Sequence, residues 1–353
     1  MSDHRITMTM LGATGSGKTT YLLGMYATLS MGLRGYFMYA TDPDTDLDLA
    51  EAWENLCADG SLPAPNNEKP IDYEFVLRHG VTSLVDFDCQ DFRGGAATER
   101  GGDGAPADIP ALTERLDRSD SIFLVLDGQH VGRWVADDTP AHLNPAADPM
   151  RIARFSRAIS NLCDRRRQRG EPSPSIVVLV TKADLIGKIS GLPTPEALEK
   201  TARNLSKLVK VIDSEGVTAM LCPVQLGSFG DPASVTVDPA LVDPQNLHHP
   251  MIFALLHYLD EGIVRHGEER VRAVERQLDE QAQELDGLRS GGVIKNFLKR
   301  NEISRRDAEI AAVREQHGEA QARVNAARVR AEQLVEELRN MPIYRSGKLQ
   351  IGG

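Results

Sequence analysis

A chain of 353 residues is long enough to bury a sizeable core, as one large domain or two ordinary ones. Its net charge of -11 and pI near 5.4 argue against a general affinity for nucleic acid or anionic membrane, although local basic patches remain open. Cys57, Cys89, Cys163 and Cys222 lie far apart with no Cys-x-x-Cys pair, so neither a zinc site nor a disulfide framework is suggested and a reduced cytoplasm fits best. The opening Met-Ser-Asp-His-Arg is not an apolar signal segment, and no apolar run approaches membrane-spanning length, so a soluble cytoplasmic protein is expected.

Ile6, Met8 and Met10 alternate with Thr7 and Thr9, the pattern of a short strand, and residues 21–33 carry no Pro and read as a helix. Between them stand Gly12, Ala13, Thr14, Gly15, Ser16, Gly17, Lys18, Thr19 and Thr20. They fit the phosphate-binding pattern of Gly, four residues, then Gly-Lys-Ser/Thr, in the strand, loop, helix context it requires. The glycines let successive N–H groups converge on phosphate oxygens at the positive end of the helix. Lys18 supplies charge to the terminal phosphates, Thr19 a hydroxyl for magnesium, and Thr20 sits near the first phosphate.

Residues 36–41 read as a short strand, the cluster from Asp42 starts a helix covering 47–57, and 59–67 form a Pro- and Gly-rich loop. Residues 71–78 and 82–90, joined by His79-Gly80, read as a β-hairpin. It ends in Asp91-Phe92-Arg93-Gly94, the Asp-x-x-Gly spacing of nucleotide switches, with Asp91 toward magnesium and the Gly94 N–H toward the last phosphate. The Gly-rich tract 94–110 then reads as a mobile switch.

The apolar run 121–127 is typical of a parallel strand covered on both faces. A Pro- and Asp-rich connection over 133–149 leads to a helix over 150–169 with Ile152, Phe155, Ile159 and Leu162 as its stripe, ended by Gly170. Arg165, Arg166, Arg167 and Arg169 form a cationic helix end that suits the dipole, with an arginine finger or anion site as the alternative. A buried strand over 175–180 runs straight into Thr181-Lys182-Ala183-Asp184. That is the guanine-reading arrangement: the Asp184 carboxylate accepts from two donors that adenine does not present together, and the Lys182 stem lies along the purine. Residues 217–224 form a further strand, and Gln225-Leu226-Gly227 is expected to be another base-contacting loop.

With these three motifs in order on the expected strands, residues 4–262 resemble a Ras-like P-loop GTPase of the translation-factor-related class. The long insertion before the hairpin and the appended helices are similar to GTPases of bacterial conflict systems, often called double-GTPases. The resemblance implies GTP or GDP as ligand, Mg2+ as cofactor, and hydrolysis or nucleotide-controlled partner binding. On it, Lys18, Thr19, Asp91 and Gly94 form the catalytic group, and Thr19 and Asp91 the metal pair. Nucleotide is held by Gly12, Gly15, Ser16, Gly17, Lys18, Thr19, Thr20, Thr181, Lys182 and Asp184. Three departures stand out: Gly95 replaces a water-orienting Gln, which implies slow hydrolysis; the magnesium-binding switch Thr is unassigned, with Thr41 and Thr45 as distant candidates; and Gln225-Leu226 stands where Ser-Ala is expected.

Residues 251–290 read as one long helix with Val271, Val274, Leu278, Gln281, Leu285 and Leu288 at heptad spacing. After a Gly291-Gly292 break, the spacing resumes through Ile310, Val313, His317, Ala320, Val324, Ala327, Ala331, Leu334, Leu338 and Met341. Two heptad segments joined by a glycine break predict an antiparallel coiled-coil hairpin, although pairing between chains satisfies the same stripe. The segment 293–300 mixes apolar and basic residues, as a hairpin tip or as a partner or membrane contact. The expected organisation is an α/β GTPase domain over 1–262, with a mostly parallel sheet and an antiparallel edge hairpin, a helical stalk over 263–341, and a disordered tail over 342–353. The expected function is a GTP-controlled switch acting on a protein partner or activator. A nucleotide-binding scaffold that never turns over and a dynamin-like mechanochemical enzyme are the rivals.

Overall fold

A computed structural model describes residues 5–63, 70–92, 108–137, 139–140, 143–230, 236–289 and 300–350. It divides into two compact units, the first made of Met1–Leu255 with Glu337–Gly353 and the second of Leu256–Glu336.

The first unit is a mixed α/β fold built on a sheet of nine strands among the described residues. In chain order they are β1 (Arg5–Gly12), β2 (Tyr36–Ala40), β3 (Ile71–His79), β4 (Thr82–Asp91), β5 (Ser121–Asp127), β6 (Ser175–Thr181), β7 (Thr218–Pro223), β10 (Ile343–Arg345) and β11 (Lys348–Gln350). A separate ribbon pairs β8 (Gln225–Gly227) with β9 (Val242–Gln245). Across the sheet the order is β11-β10-β7-β6-β5-β1-β4-β3-β2. Strands β4, β1, β5, β6 and β7 run parallel, while β3 and β2 form an antiparallel edge on one side and β10 and β11 on the other. From β1 the chain crosses to the edge strand β2, returns through β3 to β4 beside β1, and then builds outward through β5, β6 and β7 on the other side, so the strand order reverses at β1. A crevice for ligand opens at such a point beyond the carboxyl ends of the strands.

Period-2 alternation explains how the parallel strands are buried on both faces. On one face Ile122, Leu124 and Leu126 of β5 and Ile176, Val178 and Val180 of β6 share a core with α3 (Asp108–Arg118), α4 (Gly128–Ala136), α5 (Ile152–Arg169) and α7 (Thr194–Leu208). On the other, Phe123 meets Tyr21 of α1 (Lys18–Ser30) at 6.2 Å between ring centroids. Helix α1 is buried along most of its length, which is why its sequence shows no amphipathic stripe.

Several expectations hold at the element level. The hairpin of β3 and β4 forms with a bulge at Leu77/Arg78, Asp42 caps α2 (Pro43–Asp59) by accepting from the Thr45 N–H, and Gly170 closes α5. Other expectations give way. The Pro- and Asp-rich connection begins as helix α4, because Val131, Trp134 and Val135 reach the core. The arginine cluster does end α5 as a cationic terminus, but the arginine-finger alternative loses its free side chains: Arg166 is buried and donates to the carbonyls of Asp117, Ser119 and Pro172, while Arg165 and Arg169 pair with Asp117. The terminal segment expected as disordered tail instead adds β10 alongside β7. Buried Tyr344 anchors it, donating from its hydroxyl to the Ala202 carbonyl at 2.6 Å.

Helix α8 (His249–His257) passes through a π-helical stretch (Tyr258–Arg265) into α9 (His266–Arg289), so the single helix expected over 251–290 carries an irregularity at Gly262. There His266 Nδ1 lies 2.6 Å from the Glu261 carbonyl oxygen. In the second unit, the described contacts of α10 (Arg300–Glu337) with α9 include the following pairs. Glu268 bonds Arg328, Glu275 meets His317 at 3.2 Å, and Gly267 lies against Val324. Residue numbers rise along one helix as they fall along the other. The buried or half-buried positions of α10 include Ile310, Val313, His317, Ala320, Val324, Ala327, Ala331 and Leu334, which is the heptad stripe. Among the described residues, no helix is long and apolar enough to cross a membrane. The tip segment around Phe297 and the side chains of Leu285 and Leu288 lie outside the described residues.

Candidate functional site

Four strand ends converge at the carboxyl edge of the sheet. Strand β1 delivers the loop from Gly12 to Gly17, β4 delivers Asp91, β5 delivers Asp127, and β6 delivers Thr181 and Lys182. The loop turns through Gly15 and Gly17, both at positive φ, and Gly17 hands the chain to the first turn of α1. A loop of this kind before a helix N-terminus has the local form that can present backbone N–H groups to an anion.

Lys18 folds back over the loop. Its ammonium donates to the carbonyls of Gly12 at 3.2 Å and Ala13 at 3.3 Å. Burial lowers its pKa, and the nearby Asp91 carboxylate works in the opposite direction. The Thr19 hydroxyl donates to Asp91 Oδ2 at 3.0 Å, so two hard oxygen donors from different elements stand side by side. Asp91 itself is fully buried. This pair suits magnesium, which is commonly held by one or two protein oxygens with phosphates and waters completing its shell. Among the described residues there is no cluster of three or more His, Cys, Asp or Glu side chains that could cage a metal unaided.

The second motif is tied to the first by hydrogen bonds. Thr181 Oγ1 donates to the Ser16 carbonyl at 2.7 Å and lies 3.2 Å from the Leu126 carbonyl. Lys182, at φ 50, swings its ammonium to the Gly15 carbonyl at 3.2 Å and to Asp127 Oδ2 at 2.6 Å. Asp127 also caps α4 through the Gln129 N–H. The neighbouring Gly128 is compulsory, since a Cβ there would stand 2.4 Å from the Lys182 carbonyl oxygen. Asp184 begins α6 (Asp184–Ser190) with a side chain 8% exposed, 3.3 Å from Lys188 Nζ.

Beside these groups lies a cleft of about 680 Å³, open solvent included. Gly17, Thr20, Lys182 and Asp184 line it together with Tyr21, Gln225 and Phe229. Gln225-Leu226-Gly227 therefore reaches the cleft as expected, although it does so as strand β8 rather than as a free loop.

The structure thus brings Gly12, Gly15, Ser16, Gly17, Lys18, Thr19, Thr20, Asp91, Thr181, Lys182 and Asp184 to one edge. Gly94 and Gly95 lie outside the described residues. The candidate switch threonines do not join the site: Thr45 spends its hydroxyl on Asp42, and Thr41 follows β2, three strands from β1 and so about 14 Å away. Asp127 was missed, although an acid ending an all-apolar strand just before glycine is a readable signal. Leu62, Phe229 and Val237, also at the cleft, carry no such signal. No protein-family model matches the chain, and no curated protein matches it either.

Proposed function

We propose that this protein is a guanine-nucleotide switch of the Ras-like P-loop class, which binds GTP and GDP with magnesium and hydrolyses GTP slowly. Its helical unit, taken as a coiled-coil hairpin on the antiparallel contacts of α9 with α10, passes the nucleotide state to a protein partner. The observation that carries this reading is the bond from Thr181 Oγ1 to the Ser16 carbonyl. It ties the loop with phosphate-binding character directly to the tetrad with base-reading character.

The chain's own groups divide the work. The loop N–H groups hold the phosphates, and Lys18 exchanges the neutral carbonyl acceptors of Gly12 and Ala13 for charged phosphate oxygens, which bind an ammonium more strongly. Thr19 and Asp91 would hold magnesium, which supplies charge neutralisation at the terminal phosphates. Thr181 and Lys182 fix the loop, and Asp184 accepts from the ring N–H and exocyclic amine of guanine. Gly95 in place of a water-orienting Gln favours slow turnover, and at the limit a scaffold that exchanges nucleotide without cleaving it.

Titration calorimetry of the purified chain with GTP, GDP and ATP in magnesium tests the proposal. Guanine nucleotides are expected to bind far more tightly than ATP, and Lys18→Ala to abolish binding. Equal affinity for GTP and ATP would reject the guanine assignment, and fast multiple turnover by the isolated chain would reject the slow switch.

A further inference from the structure

The cleft beside Asp184 has a wall that none of the phosphate- or base-reading motifs supplies. Helix α2 ends at Gly60, and the chain that follows meets a segment more than 170 positions later in the sequence. The Val237 N–H donates to the Gly60 carbonyl at 2.8 Å, and Ser61 and Thr236 form an antiparallel bridge. Contact there is so close that a Cβ at Gly60 would stand 1.7 Å from the Val237 carbonyl oxygen, and Gly60 is held at φ 79. A short 3-10 turn, Pro239–Leu241, packs the second segment against α2.

Each side of this junction sends an apolar side chain to the cleft: Leu62 from the first, Val237 from the second. Phe229, on the same stretch as Val237, adds an aromatic ring that sits on Gly227, where a Cβ would come within 2.6 Å of it. All three are half-buried, so each offers apolar surface to whatever enters the cleft. Asp184 and Lys182 line that cleft too. A flat heterocycle with hydrogen-bond donors on its edge fits such a lining, because apolar surface holds the faces of the ring while the carboxylate takes the edge. Excluding water from the carboxylate also strengthens its discrimination between bases.

Resting on the guanine-nucleotide reading, we propose that the junction of Gly60–Leu62 with Thr236–Val237 is a clasp that encloses the base. In it, Leu62, Phe229 and Val237 set how long guanine nucleotide is retained. The clasp acts on base retention and leaves the phosphate loop untouched, so its loss should appear mainly as faster dissociation.

The test compares the parent chain with Leu62→Ala, Phe229→Ala and Gly60→Ala, using magnesium with GTP, GDP or inorganic tripolyphosphate. The two truncations are expected to speed GDP dissociation roughly tenfold and to weaken GTP and GDP alike, given the apolar contact removed. Tripolyphosphate, which has phosphates and no base, should bind all folded variants as it binds the parent. Gly60→Ala should behave like the truncations, which guard the test should it fail to fold. Truncations within twofold of the parent for GDP, or an equal loss for tripolyphosphate, overturn the clasp alone. A parent that binds neither GTP nor GDP overturns the guanine reading and the clasp with it.

Discussion

The Lys182 ammonium lies 2.6 Å from Asp127 Oδ2 and donates at 3.2 Å to the Gly15 carbonyl, so one cation joins the ends of β5 and β6 to the loop after β1. The pair is largely buried, with the Lys182 side chain 26% exposed and Asp127 11%. Removing one charge leaves the other poorly solvated, at a cost of about 1–3 kcal/mol. Asp127→Asn keeps an oxygen for the Gln129 N–H and so preserves the cap on α4. It is expected to lower the melting temperature modestly and to weaken GTP binding more than the stability change explains. Unchanged affinity in calorimetry would mean that Lys182 positions nothing.

Asp184 makes the sharper prediction about identity. Its carboxylate is 8% exposed and meets the exposed Lys188 ammonium at 3.3 Å, leaving acceptor capacity for a ligand. Asp184→Asn replaces one acceptor by a donor. It should cost GTP about 1.5–3 kcal/mol per charged bond lost, while ATP affinity stays level or rises. Competition binding with the two nucleotides reads this directly, and a parallel loss of both would assign Asp184 to structure.

How much of this was legible in the sequence depended on whether the signal was local. The loop from Gly12 to Gly17, the hairpin ending at Asp91 and the strand ending at Thr181 each carry their pattern within a few residues, and the structure places all three at one edge. The bonds between them are long-range: Thr181 to Ser16 spans 165 positions, and no periodicity announces it. The same holds for Gly60 and Val237, whose hydrogen bond depends on where α2 and the 3-10 turn pack. The C-terminal strands were misjudged for a different reason. Ile343-Tyr344-Arg345 is too short to read as a strand by itself, and it forms one by pairing with the edge of β7 on one side and with β11 on the other.

His248 predicts acid sensitivity. Its ring is 9% exposed, lies 4.0 Å from the His249 ring between centroids, and faces the Arg34 guanidinium, which is itself bonded to Glu337 at 2.6 Å. Burial first, then the His249 and Arg34 charges, lower its pKa from 6.5 to about 3. His249 is lowered too, with burial outweighing the favourable Glu337 charge. Below pH 6.5 the unfolded chain takes a proton that the folded chain refuses, so stability should fall progressively toward pH 3 and no further from this group. His248→Asn should flatten that part of the profile. Urea unfolding at several pH values compares the two, and identical slopes would exclude His248 as a contributor.

Tyr344 tests the C-terminal strands as part of the first unit. Its side chain is 2% exposed within the core that includes Leu205 and Ala219, and its hydroxyl reaches α7. Truncating a buried aromatic ring to alanine costs about 3–5 kcal/mol, whereas losing the hydroxyl alone costs about 1 kcal/mol. Tyr344→Ala should therefore destabilise the unit strongly and Tyr344→Phe slightly in denaturant titrations. A chain ending at residue 341 should resemble the alanine variant, and a truncated chain as stable as the parent would reduce β10 and β11 to decoration.

The antiparallel contacts of α9 and α10 can be fixed chemically. A Cβ at Gly267 would stand 3.9 Å from the Val324 Cβ, the separation a disulfide spans, so cysteines at these two positions can be bridged if the helices pair within one chain. On a background with Cys57, Cys89, Cys163 and Cys222 replaced, G267C/V324C should oxidise to a monomeric species of altered mobility on non-reducing gels. The crosslink sits in the second unit, and the phosphate and base groups are all in the first, so GTP affinity should be unaffected. Dilution separates the alternatives, because an intramolecular bond forms at a rate independent of protein concentration while a bond between chains does not. Products that are exclusively dimeric and concentration-dependent would replace the hairpin with a coiled coil between two copies, and the switch would then act as a dimer.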